Sequence, residues 1–415
     1  MPTVSPELLS DARVLAASLI FFGSYIVFAL GKFPGLKIDR PGAAIVGAVL
    51  MVAFRIVDAP HALASIDFAT IVLLFSMMLI VSNVRMAGFF DWVTALIIRW
   101  LHPHHLLPTV ILTTGILSAF LVNDIVCLVM TPLVVQLTRR FSLPALPYVI
   151  AVATASNIGS VATITGNPQN ILIGSLSQIP YVEFLVRLGP IALIGLVVNW
   201  GVVRVVHRHR LSDIIEPRAT GAIEVPGPLR AKPVVVLALV LGGFLAGAPP
   251  ALAASLGAAL LLITRSVEPR QVYAAVDWGL LVFFVGLFVI VGGAERAGLT
   301  AAMLTPLSSR GLQYVPVLVG VTAVLSNIVS NVPAVMLLRG VVPGLPDPHL
   351  GWLVLAMSST LAGNLTITGS VANIIVVERA AAEGVSVGFR DYLQVGLPVT
   401  VLTIAIGSLW LWITL

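Results

Sequence analysis

Two stretches of this chain are apolar and long enough to enter a bilayer, yet each is interrupted at its middle by Ser, Asn, Gly and Thr. Residues 152–175 read VATASNIGSVATITGNPQNILIGS, and residues 355–376 read LAMSSTLAGNLTITGSVANIIV. Thr163-Ile164-Thr165-Gly166 recurs as Thr366-Ile367-Thr368-Gly369, and Asn170 recurs as Asn373, each 203 residues later. Hydrocarbon offers no partner to a freed backbone N–H or C=O. A helix that breaks at membrane depth must therefore be buried in protein or line a water-filled cavity. Tight packing of two helices through small residues would explain the Gly and Ser content, but not the kinship of the two stretches.

The rest of the composition agrees with a bilayer environment. Hydrophobic residues make up 58% of the 415 residues, charged residues only 10%, and the mean hydropathy is +1.05. A soluble domain carries roughly 25% charged residues, so the class is an all-α polytopic membrane protein. Met1 to Arg13 contains Glu7 and Asp11 and lacks the basic start of a cleavable leader. The single cysteine, Cys127, excludes internal disulfides and a cysteine-based metal cage. The net charge of +5 comes from loop Lys and Arg, which points to membrane topology rather than to nucleic acid.

Apolar runs fall at 14–31, 42–57, 69–84, 107–138, 145–175, 188–207, 232–248, 250–265, 277–294, 313–345, 350–378 and 393–414. The runs 107–138 and 313–345 are interrupted by Val122-Asn123-Asp124 and by Ser330-Asn331-Val332-Pro333, a pattern expected of hairpins that enter the membrane and turn back. Segments 89–101 and 299–310 are short and charged and are expected to lie along the interface. Asp67-Phe68 and Asp277-Trp278 open matching spans, 210 residues apart. The chain thus reads as two repeats of five transmembrane helices, each with a re-entrant hairpin and a broken helix. Their bounds are 1–207 and 232–415, joined by a linker at 208–231.

An odd number of spans per half inverts the second copy. Basic residues test the orientation. Lys32, Lys37, Arg40, Arg85, Arg99, Arg139, Arg140, Arg204, Arg208, Arg210, Arg218, Arg230, Lys232, Arg265, Arg270, Arg379 and Arg390 share one side. That side is cytoplasmic by the positive-inside rule, which places both termini outside.

The candidate chemistry sits at the hairpin tips and the breaks. Helix N-termini there offer free N–H groups to an anion, and C-terminal carbonyls suit a cation. Asp124 is an intramembrane carboxylate, either a carrier of a coupling cation or proton or a helix cap. Around the first break stand Asn157, Gly159, Thr163, Thr165, Gly166, Asn167 and Pro168, with Gly166 expected to permit an unusual turn. Around the second stand Thr360, Gly363, Asn364, Thr366, Thr368, Gly369 and Asn373. Buried Arg and Lys are nearly absent by this reading. His102, His104 and His105 read as a loop cluster rather than a metal site. No nucleophile has a base in reach within a span, which argues against an enzyme.

Paired hairpins, paired broken helices and the string Gly166-Asn167-Pro168-Gln169-Asn170 resemble the ion transporter superfamily. That group includes arsenite permeases, sodium/proton antiporters of the same fold, and divalent-anion/sodium symporters. The Asn123-Asp124 tip and Gly88-Phe89-Phe90-Asp91-Trp92 are similar to arsenite permeases, and the Gly-Asn-Pro-Gln-Asn string to citrate-transporter-like anion permeases. The dicarboxylate symporters carry Ser-Asn-Thr at both tips, of which only the Asn is kept here.

The resemblance implies a homodimer working by an elevator motion in a bacterial inner membrane. It implies a scaffold of 1–66, 188–276 and 393–415 and a transport domain of 67–187 and 277–392. The expected function is ion-coupled secondary transport of a small anion or oxyanion, with Na⁺ or H⁺ as the coupling ion and no cofactor. A sodium/proton antiporter using Asp124 and a sodium-coupled dicarboxylate symporter are the alternatives. Substrate contacts are expected from Asn123, Asn157, Thr163, Asn167, Asn331, Asn364 and Thr366. Coupling-ion contacts are expected from Asn123, Asp124, Thr165 and Gly166, and from Ser330, Asn331, Thr368 and Gly369.

Overall fold

The computed structural model describes residues 6–31, 37–100, 105–212, 229–263, 268–300, 302, 311 and 313–414. His102, His104, nearly all of the interfacial segment 299–310 and most of the linker lie outside them. Among the described residues the chain is helical, with no β-strand. The first half comprises α1 (Pro6–Leu30), α2 (Arg40–Ala53), α3 (Ala59–Ala64), α4 (Phe68–Met86), α5 (Phe89–Trp100), α6 (Leu106–Phe120), α7 (Asn123–Arg140), α8 (Ala145–Ser160), α9 (Pro168–Ser177) and α10 (Tyr181–Val206). After a short α11 (Arg208–Ser212), the second half comprises α12 (Ala231–Leu245), α13 (Pro250–Ile263), α14 (Pro269–Ala274), α15 (Trp278–Arg296), α16 (Val315–Val329), α17 (Asn331–Leu338), α18 (Pro348–Ala362), α19 (Val371–Ala382) and α20 (Phe389–Thr414). Among the described residues five helices are long and apolar enough to cross a membrane unbroken: the 12–30 part of α1, α4, α10, α15 and α20.

Helix starts follow a recurring local code. Asp39, Asp58, Asp67, Asp277 and Asp347 each accept the N–H three residues on, at 2.8–2.9 Å, and so cap α2, α3, α4, α15 and α18. Proline follows within the first two helical positions of α2, α3 and α18. Its missing N–H costs nothing there. The role expected of Asp67 and Asp277 as helix starters is the one they fill.

Packing divides the helices into two groups. In one, α2 lies against α1 and α15, and α13 against α12 and α4. In the other, α6 packs on α8 and α16 on α18, while α10 and α20 pack on each other and on α8 and α18 respectively. The contacts come in matched pairs between the halves: α7 with α19 and α9 with α17, α8 with α19 and α18 with α9. Close approach depends on small residues, as is usual where lipid removes the hydrophobic drive between helices. A Cβ at Gly159 would stand 2.0 Å from the Gly115 carbonyl oxygen, and one at Gly286 would stand 2.5 Å from that of Ala44. Large apolar side chains such as Leu19, Val197, Leu239 and Trp412 are left exposed.

Candidate functional site

The two hairpins turn where the sequence places them. Leu121 and Val122 join α6 to α7, and Ser330 alone joins α16 to α17. Asp124 is not a cap: Val122 holds that position without a side-chain bond, and Asp124 lies in the first turn of α7. Ser330 has φ 76° and ψ 162°, a region open almost only to glycine.

The breaks are built alike. After α8 the chain leaves the helix at Val161, makes one 3₁₀ turn at Ile164–Gly166, and restarts at Pro168. After α18 it makes a 3₁₀ turn at Ile367–Gly369 and restarts at Val371. Asn170 Nδ2 donates to the carbonyls of Ser160 and Thr163, both at 3.0 Å. Asn373 Nδ2 donates to those of Gly363 at 2.7 Å and Thr366 at 3.0 Å. These amides supply what lipid cannot. Gly166 closes the 3₁₀ turn without a positive φ. It is glycine because a Cβ would lie 2.2 Å from the Ser160 carbonyl oxygen. Pro168 opens α9 rather than breaking a helix.

The hairpin tips and restarts meet at one cavity of about 340 Å³. One wall carries Asn123, Asp124, Pro168, Gln169, Ser330, Asn331, Val332, Pro333, Ser370 and Val371. The other carries Asp39, Arg40, Pro41, Asp277, Gly279, Leu280 and Phe283. Four helices, α7, α9, α17 and α19, therefore begin at the first wall, and α2 and α15 begin at the second. Six N-terminal ends around one space create a field favourable to negative charge. Asp124 has no ion pair among the described residues.

Behind the first wall runs a polar network that joins the two halves. Asn157 Nδ2 donates to Asn364 Oδ1 at 3.0 Å and Asn373 Oδ1 at 2.9 Å. Its Oδ1 accepts from Asn123 Nδ2 at 3.3 Å and from Ser370 Oγ at 3.1 Å. Asn167 and Gln169 both donate to Thr360 Oγ1, at 3.3 and 3.1 Å. With its amide oriented to suit its neighbours, Asn331 donates to the Ser359 and Gly369 carbonyls at 3.0 and 3.2 Å and accepts from Gln169 Nε2 at 3.2 Å. Asn123 Oδ1 and Asn364 Nδ2 are buried without partners.

Of the residues singled out from the sequence, Asn123, Asp124, Ser330 and Asn331 line the cavity. Asn157, Asn167 and Asn364 lie one layer behind it, held in the network. Thr163 donates to the Ala119 carbonyl, and Thr165 pairs with Tyr181 Oη at 2.9 Å. Gly369 is joined to Asn331 through its carbonyl. Thr366 and Thr368 stand 3.4 Å apart on the more open second break.

Sequence reasoning did not select Gln169, Ser370, Phe283, Asp277 or Arg40 as site residues. Arg40 was read from the sequence as a cytoplasmic-side loop cation, and the structure places it on the cavity wall. Its place there was signalled only by Asp39-Arg40-Pro41, a helix start of the same kind as Asp277.

No three His, Cys, Asp or Glu side chains converge as metal ligands among the described residues. The buried Asn123 oxygen beside Asp124 is suited to a monovalent cation or a hydroxyl donor, not to a multi-carboxylate chelate.

The comparisons with known proteins make this helical chain a membrane transporter and not an enzyme. Residues 25–362 match the citrate transporter family, and the chain belongs to that family. It is 31% identical to a 46 kDa membrane protein of Mycobacterium leprae, over 96% of this chain and 98% of that one. It is 30% identical to a silicon efflux transporter of Oryza sativa subsp. japonica, again over 96% and 98%. In fold it is similar to the YdaH transporter of Alcanivorax borkumensis, with a TM-score of 0.53, 15% identity and 98% of each chain covered.

Proposed function

We propose that this chain is an ion-coupled secondary active transporter of a small anion or oxyanion across a bacterial inner membrane. The observation that carries the reading is the convergence of both hairpin tips and both helix restarts on one cavity. Asn123 and Asn331 hold the solute from the two tips, each polarised by a helix start. Na⁺ or H⁺ is the coupling ion, taken beside Asp124 and the Asn123 oxygen and, in the second half, beside Ser330, Asn331, Gly369 and Thr368. The silicon efflux relative extends the substrate class to weak oxyacids, and the family to citrate-like carboxylates.

The two halves are inverted repeats, supported by their matched contacts and matched breaks. The packing favours a different division of labour from the sequence expectation. The static scaffold would be α1, α2, α4, α12, α13 and α15, which pack on one another. The moving unit would be the hairpins, the broken helices and the final spans α10 and α20, which also pack together. The cavity lies between the two groups, so sliding one along the other would expose it to each side in turn, in a homodimer with both termini outside. An exchanger using Asp124 is the second reading, favoured by that carboxylate's lack of an ion pair among the described residues.

The test is uptake into proteoliposomes of citrate, succinate, arsenite, silicic acid, sulfate and phosphate under separate Na⁺ and H⁺ gradients. Asn123→Ala and Asn331→Ala should each reduce transport by at least about tenfold with normal reconstitution. Full rates in both variants would remove the site from this cavity. If Asp124→Asn abolishes Na⁺-driven alkalinisation without solute present, the exchanger reading stands instead.

A further inference from the structure

Arg40 is the only cationic residue lining the cavity among the described residues. It opens α2, the end at which the helix dipole disfavours a positive charge. One of its donors, Nε, is fixed on the Phe28 carbonyl of α1 at 2.9 Å. That single bond accounts for an amide as well as for a guanidinium. The two terminal nitrogens carry no hydrogen bond or ion pair among the described residues. The stem is thus held while the planar edge is left for a ligand, the geometry that suits bidentate contact with a carboxylate or oxyanion. Among the described residues the remaining charges on the cavity walls are Asp39, Asp124 and Asp277. Asp39 and Asp277 each spend one oxygen on a helix N–H. Without Arg40 every charge facing an incoming anion would be repulsive.

The matching position in the second half differs. Counting the same 210 residues that relate Asp67 to Asp277, Arg40 corresponds to Pro250, which opens α13 as Arg40 opens α2. Helix α13 packs on α4 as α2 packs on α15. No cation stands at that start.

We propose that Arg40 is the anion-selecting residue of the cavity and acts from one face of the membrane only, because the corresponding wall beside α13 offers Pro250 in its place. The inference rests on the transport reading and on the halves alternating as walls of the site. An anionic solute is then held more tightly on the Arg40 face than on the other.

The experiment measures KM from each face in inside-out and right-side-out vesicles, with citrate, phosphate and sulfate as anionic probes and arsenite as an uncharged one. Arg40→Gln keeps a donor for Phe28 and removes the charge. It should raise the KM for the transported anion at least about tenfold on one face and leave the other face, and arsenite, unchanged. Pro250→Arg should lower the anion KM on the opposite face, and it carries the test alone if Arg40→Gln fails to fold. An equal change on both faces, no change with either variant, or a wild type that moves none of the three anions overturns the proposal. Failure of the transport reading shows separately, as full rates in Asn123→Ala and Asn331→Ala.

Discussion

At Ser330 a single side chain occupies a backbone conformation that glycine would take without cost. Holding a serine there costs about 1–3 kcal/mol, and it faces the cavity. Ser330→Gly should therefore raise the melting temperature while lowering the transport rate, measured by thermal unfolding in detergent and by flux on the same preparation. His207, which closes α10, gives a residue-scale prediction of opposite sense. Burial, reinforced by Arg210 and opposed by Asp391, holds its imidazole below the ordinary range, and its Nε2 is buried unpartnered. A depressed value in the folded protein means the neutral form is the native one. Its contribution is complete above the unfolded pKa, about 6.5, and is lost as pH falls from there through the lower folded value. His207→Gln should flatten stability in that window, and unchanged acid sensitivity in the variant would refute it.

Among the elements, the close pairing of α6 with α8 is the most demanding. Gly159→Ala pushes a methyl group into the Gly115 backbone and should destabilise by about 1–3 kcal/mol, seen as a drop in melting temperature or folded yield. At this scale the sequence was most readable. Hairpins, breaks and their repetition follow from where apolar runs stop, because hydrocarbon tolerates only hydrogen-bonded backbone. Less readable was which polar residue does what. Asn157, Asn167 and Asn364 look like ligands in one dimension, yet they join helices behind the wall. Asn170 and Asn373 marked a repeat, and only coordinates reveal them as donors to the carbonyls that each break sets free. Arg40 looked like an ordinary loop cation, since nothing in its spacing foretells that α2 starts beside the hairpin tips.

For the whole molecule, orientation is the open property that charge alone addresses. Cysteines at the exposed Ala64 and Ala382 should be labelled from outside and from the cytoplasm respectively by an impermeant maleimide. The native Cys127 is buried and leaves the background low. Reversed labelling would invert the assigned topology. The Asn157 amide carries a wider implication. One half's polar interior finds its acceptors, Asn364 and Asn373, in the other half. Separating the halves would leave these buried amide groups unpaired. Expressed as separate polypeptides divided within the linker, the fragments should be degraded individually and recovered only when co-produced, because each leaves the other's buried amides without partners.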